Sequence, residues 1–174
     1  MKNVKVIIAV AAVVLQLVSP CVQAEDVVSD KESLRGIKHI GVTIGKISHT
    51  ATTIGINRDS LRESIALQLR TEGISIVTPD ELHADSVIPY LQVILFLSYS
   101  KPTYMYTVMV GLNEKVHLER EPTIVSSAMP WWRIIRGEYI GTTGLEQEVE
   151  GSLRKLLKEF VEDYFAVNPR QAIK

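Results

Sequence analysis

The chain has 174 residues, a formal net charge of −1 and 46% hydrophobic residues, with a single cysteine, Cys21. So balanced a charge excludes phosphate-driven binding of nucleic acid, and one cysteine excludes an internal disulfide. Its length suits one domain stabilised by an ordinary hydrophobic core.

Lys2 and Lys5 form a short positive segment, Val6 to Val18 is an apolar run, and Val22-Gln23-Ala24 ends in a small residue. Residues 1–24 therefore read as a cleavable secretory signal peptide cut before Glu25, and the mature protein is expected to be periplasmic or secreted. The run is too short to span a bilayer, which takes about 20 apolar residues, so no transmembrane segment is expected in the mature chain. Lipid anchoring through Cys21 is the weaker alternative. A lipoprotein signal places a small residue immediately before the cysteine and usually a leucine three positions before it, whereas Pro20 and Val18 stand there. Cleavage removes two lysines and no acid, leaving 17 Lys+Arg against 20 Asp+Glu.

Residues 25–36 are polar and lack a sustained period, which predicts a flexible leader before a single domain over 37–169, with 170–174 as a tail. Ile40, Val42 and Ile44 alternate with Gly41 and Thr43 to give a first strand, and Lys46 to Thr53 reads as a loop. Asn57 is a good N-cap, Ile56 and Leu61 occupy the positions of a hydrophobic staple, and Gly73 can take the positive φ that ends a helix. Leu61, Ile65 and Leu69 between them form one apolar stripe.

Ile74 to Thr78 reads as a second strand closed by Pro79, and Asp80 to Pro89 as a connecting loop with room for one helical turn. Tyr90 to Ser98 is apolar on both parities, which predicts a central strand covered on both faces. After the turn Lys101-Pro102-Thr103, Tyr104, Tyr106, Val108, Val110, Leu112, Val116 and Leu118 share one parity of a long amphipathic strand. Its partner is Thr123 to Ile140, where Pro130 demands an edge or a bulge. Thr143 and Glu146 have the spacing of a capping box, and Leu145, Val149, Leu153, Leu156, Phe160 and Tyr164 mark a last helix stopped by Asn168-Pro169. The expected fold is α+β, a two-layer sandwich of a mainly antiparallel four- or five-stranded sheet with two helices on one face, in the order β-α-β-β-β-β-α.

The chemistry-bearing residues are sparse. His39, His49, His83 and His117 lack metal-ligand spacing, no nucleophile elbow is present, and Gly137, Gly141 and Gly144 lack the spacing of a phosphate loop. No catalytic residue, cofactor or metal is therefore assigned. The candidate binding residues are Trp131, Trp132, Arg133 and Arg136, because adjacent strand residues face opposite ways and the two indoles cannot share one core. An outward Trp beside an Arg suits a protein contact and can also stack on a sugar.

Gly55-Ile56-Asn57 through Gly73-Ile74, Pro89-Tyr90-Leu91, the Tyr104-x-Tyr106-x-Val108-x-Val110 strand, the Trp near 131 and the ending Phe160-Val161-x-Asp163-Tyr164-x-x-x-Asn168-Pro169 resemble a group of small exported bacterial proteins of unknown function. More distantly, the β-α-β start, strand meander and final helix resemble envelope accessory domains: those of the activator lipoproteins of penicillin-binding proteins and the N-terminal domain of the Tol-system propeller protein. The first resemblance implies fold and compartment without an activity, and the envelope domains of the second bind other envelope proteins. With the export signal, one compact domain and no catalytic constellation, the expected function is a non-enzymatic accessory or protein-binding domain of the bacterial cell envelope, with another envelope protein as partner. The alternative is a small-ligand or glycan binder using the Trp131/Trp132 region.

Overall fold

The computed structural model describes residues 30–170. The expected signal peptide, Cys21, residues 25–29 of the expected leader and residues 171–174 lie outside the described residues. β1 (Gly41–Ile44), β2 (Tyr90–Ser100), β3 (Thr103–Leu118) and β4 (Glu121–Ile140) form one four-stranded mixed sheet in the order β1-β2-β3-β4. Four helices accompany it: α1 (His49–Thr53), α2 (Arg58–Thr71), α3 (Pro79–Ala84) and α4 (Leu145–Val167).

The expected α+β class holds, with three corrections to the architecture. The sheet is mixed, because β1 runs parallel to β2 while β2, β3 and β4 form an antiparallel meander. A strand followed by a helical crossover returns in the same direction, and α2 lies in the crossover between β1 and β2. Ile74–Thr78 contributes only a single parallel bridge, Ile76 beside Ile40, with Ile40 N–H donating to the Ser75 carbonyl at 3.0 Å. Two short helices lie in the connecting stretches, α1 where a loop is expected and α3 where the expected loop has room for one helical turn. Ser48 caps α1, and Thr78 and Glu81 close a reciprocal capping box on α3.

The boundaries of α2 follow its local signals. The Asn57 side chain accepts from the backbone N–H groups of Asp59 and Ser60. At the other end Gly73, at φ +92°, lets its own N–H reach the Arg70 carbonyl and that of Ile74 reach the Leu69 carbonyl. The capping box expected at Thr143 and Glu146 does not form. Gly144, at φ +87°, occupies the cap position, and the Thr143 carbonyl instead accepts from the Tyr139 hydroxyl at 2.7 Å. The helix is capped one residue later than the motif requires, at Gly144.

One face of the sheet carries the core. Val42, Ile44, Leu91, Val93, Leu95, Leu97, Val108, Val110 and Leu112 are all buried, and they enclose one cluster with Ile65 and Leu69 of α2 and Leu153, Leu156 and Phe160 of α4. β2 is not covered on both faces as its composition suggests. Its burial alternates, and Phe96 on the outer parity is 58% exposed.

The segment before β1 is docked rather than free from Asp30 onward. Asp30–Leu34 is a single 3-10 turn, and Leu34 is fully buried. Asn168, just past α4, holds it. Its amide donates to the Leu34 carbonyl at 2.8 Å and its side-chain oxygen accepts from Gly36 N–H at 2.7 Å.

Candidate functional site

β4 is an edge strand, and the register places one extra residue on it between Trp131, paired with Leu112, and Ala128, paired with Glu114. Pro130 falls in this bulge, where a missing N–H breaks no ladder bond. From Trp131 onward the strand alternates strictly, so the four candidate residues separate onto two faces.

Trp131 and Arg133 lie on the core side. Trp131 is fully buried, meets the Phe160 ring edge-on at 5.0 Å, and donates from Nε1 to Asp163 Oδ2 at 3.0 Å. The Arg133 guanidinium lies 4.9 Å from the centre of the Trp131 ring. It donates to the same Asp163 oxygen at 2.9 Å, pairs with Glu159 at 3.8 Å and binds Asp30. One cation therefore ties together the N-terminal turn, β4 and α4. The Arg133 hydrogen bond holds the Asp30 carboxyl below its usual range against a smaller opposing effect of burial. These contacts give both side chains a structural task within the chain.

Trp132 and Arg136 lie on the other side, which neither α2 nor α4 covers. Trp132 is 51% exposed, and Phe96 of β2 and Met105 of β3 are also exposed on this face. Ile94, Met109 and Ile134 form a partly buried row between them and Trp132. A shallow depression of about 450 Å³ is lined here by Phe96, Ser98, Met105, Thr107, Arg136 and Glu138. Of the four candidates named from the sequence, Trp132 and Arg136 stand on this face, together with Phe96, Met105 and Glu138, which the sequence did not single out. The available signal was the pair Met105 and Met109 on the polar parity of β3.

The remaining polar groups of the core side are largely paired. The Tyr106 hydroxyl donates to Glu148 at 2.8 Å and lies 3.3 Å from Ser152, and burial raises its pKa. The Tyr164 hydroxyl donates to the Ile37 carbonyl at 2.7 Å. His39, His83 and His117 each engage a local oxygen, and no group of three or more metal-ligating side chains occurs among the described residues. Nor is any helix among them long and apolar enough to cross a membrane.

No family model matches the chain, and no curated protein matches it. Among solved structures it is similar to the PelC dodecamer from Paraburkholderia phytofirmans, with 17% identity and a TM-score of 0.40, over 71% of this chain and 87% of that one. It is also similar to a minor lipoprotein from Acinetobacter baumannii, with 11% identity and a TM-score of 0.31, over 77% of this chain and 95% of that one. Both likenesses are distant.

Proposed function

We propose that this protein is an exported, non-enzymatic accessory protein of the bacterial cell envelope that works by binding protein through the uncovered face of its sheet. The observation that carries the reading is that face: Trp132, Phe96 and Met105 stand exposed on one surface with Arg136. Trp, Met and Arg are the residue types enriched at protein contacts, and an apolar patch kept exposed to water costs solubility unless something uses it.

A photo-crosslinking side chain placed at Trp132 in growing cells tests this reading, with the same probe at Lys158 on the exposed side of α4 as control. Protein adducts are expected from position 132 alone. No adduct, or equal adducts from both positions, overturns it. Intact mass of the exported protein tests the leader at the same time. A chain beginning at Glu25 fits the cleavable signal, and a lipid-bearing Cys21 at the N-terminus fits the anchored alternative.

The second reading, a small-ligand or glycan binder, draws on the half-exposed Trp132 indole, whose flat ring can stack on a sugar. Glycan-array binding that disappears in Trp132→Ala would favour it, and an array without signal would remove it.

A further inference from the structure

The uncovered face has a pattern that matches itself. Phe96, Thr107 and Arg136 form one row across β2, β3 and β4, and Ser98, Met105 and Glu138 form the next. Consider a two-fold axis lying across the strands between these rows, in the plane where two such faces meet. It lays the first row of one molecule on the second row of its copy. Phe96 then covers Ser98, Met105 covers Thr107, and Arg136 meets Glu138, each contact occurring twice by symmetry.

The rows beyond obey the same operation. Ile94, Met109 and Ile134 come to lie over Ser100, Thr103 and Ile140. Large side chains again face small ones on β2 and β3, while on β4 Ile134 meets Ile140, which is 76% exposed. Complementary sizes let two sheets approach to the roughly 10 Å of face-to-face packing. The 450 Å³ depression sits at the axis, lined by the two central rows, and receives the partner's Phe96 and Met105. Arg136 and Glu138 are both exposed, and neither has an ion-pair partner within 4.0 Å among the described residues.

We propose that the occupant of this face is a second copy of the same chain, forming an isologous dimer in which Arg136 of each protomer pairs with Glu138 of the other. The inference rests on the protein-binding reading above and names its partner. A partner of unrelated sequence gives no reason for one face to be complementary to itself in both size and charge under a single rotation. The patch is about 20 Å long and three strands, about 14 Å, wide, which places two such faces below the roughly 1,200 Å² of a stable interface, so weak association in the upper micromolar range is expected.

Sedimentation velocity of the exported protein, purified from its full coding sequence, tests this over about 1 to about 200 μM, spanning that affinity range. The wild type should pass from monomer to dimer. Arg136→Glu sets like charges against each other and should weaken association at least about 10-fold, as should Glu138→Arg. The double variant Arg136→Glu/Glu138→Arg should return to within about threefold of wild type, since the rotation restores both pairs. Phe96→Glu should be monomeric throughout. All four variants should keep the wild-type circular dichroism and Tm measured at low concentration, because these side chains stand outside the core. A wild type monomeric throughout, single variants that associate normally, or a double variant that stays weak would each overturn the dimer. If the dimer fails while position 132 still crosslinks to a different protein, the binding-face reading stands. If no adduct forms either, both fall.

Discussion

Trp131 and Trp132 are neighbours of identical chemistry in opposite surroundings, so truncating each in turn compares a buried, hydrogen-bonded indole with an exposed one. Trp131 is 0% exposed and Trp132 51% exposed. A fully buried indole removes about 200 Å² from water, which at about 25 cal/mol per Å² stabilises the fold by about 5 kcal/mol. Trp131→Ala also opens a cavity against Phe160 and leaves Asp163 with one donor fewer, while some collapse of the site recovers part of the loss. We expect a net cost of about 3–5 kcal/mol, equivalent to about 6–20 °C in Tm for a chain of this size. Trp132→Ala should cost under about 1 kcal/mol, because it leaves no enclosed cavity. Urea denaturation followed by far-UV circular dichroism, at one concentration low enough to keep every variant monomeric, compares the midpoints without relying on indole fluorescence. Equal midpoints for the two variants, or a larger loss for Trp132→Ala, would refute the assignment of β4 faces and with it both proposals above.

Leu156 is buried and Lys158 exposed on α4, so Leu156→Ala should lower stability by about 2–5 kcal/mol and Lys158→Ala by under about 0.5, read from denaturation midpoints. Asn168→Ala removes the clamp on Leu34 and Gly36, and hydrogen exchange should accelerate over residues 30–37 while β2 and β3 stay protected. The Asp30 carboxyl, held below its usual range by Arg133, contributes stability that is fully present above the pKa of the unfolded chain, about 4, and lost as pH falls through the lower folded value. Wild type should therefore exceed Asp30→Asn in stability at pH 7 by a margin that shrinks steadily below about pH 4; a margin that grows with acid would contradict the Arg133 pairing.

Much of this structure is written locally in the sequence. Asn57, Gly73 and the four-residue spacing of Leu61, Ile65 and Leu69 act within one or two turns, and α2 begins and ends where they place it. The alternation of Tyr106, Val108, Val110 and Leu112 fixes which parity of β3 meets the core, because a strand has only two faces to offer. Pro130 required an edge or a bulge and received both. The adjacency of Trp131 and Trp132 required that the indoles part, though not which one would be buried.

Relations between distant segments needed the folded chain. The parallel direction of β1 came from the crossover through α2, and the reduction of Ile74–Thr78 to a bridge reflects how little of it lies alongside β1. At Thr143 a sound capping motif goes unused, because the helix is capped one residue later, at Gly144. Arg133 meets Asp30 across 103 positions and Asp163 across 30, so no window of sequence contains that cluster. The uncovered face is the clearest case. The apolar residues on the outer parity of β2 read as buried, since hydropathy records what a side chain prefers and not whether a second layer exists to cover it. Only the placement of both long helices on one side of the sheet left Phe96, Met105 and Trp132 in water.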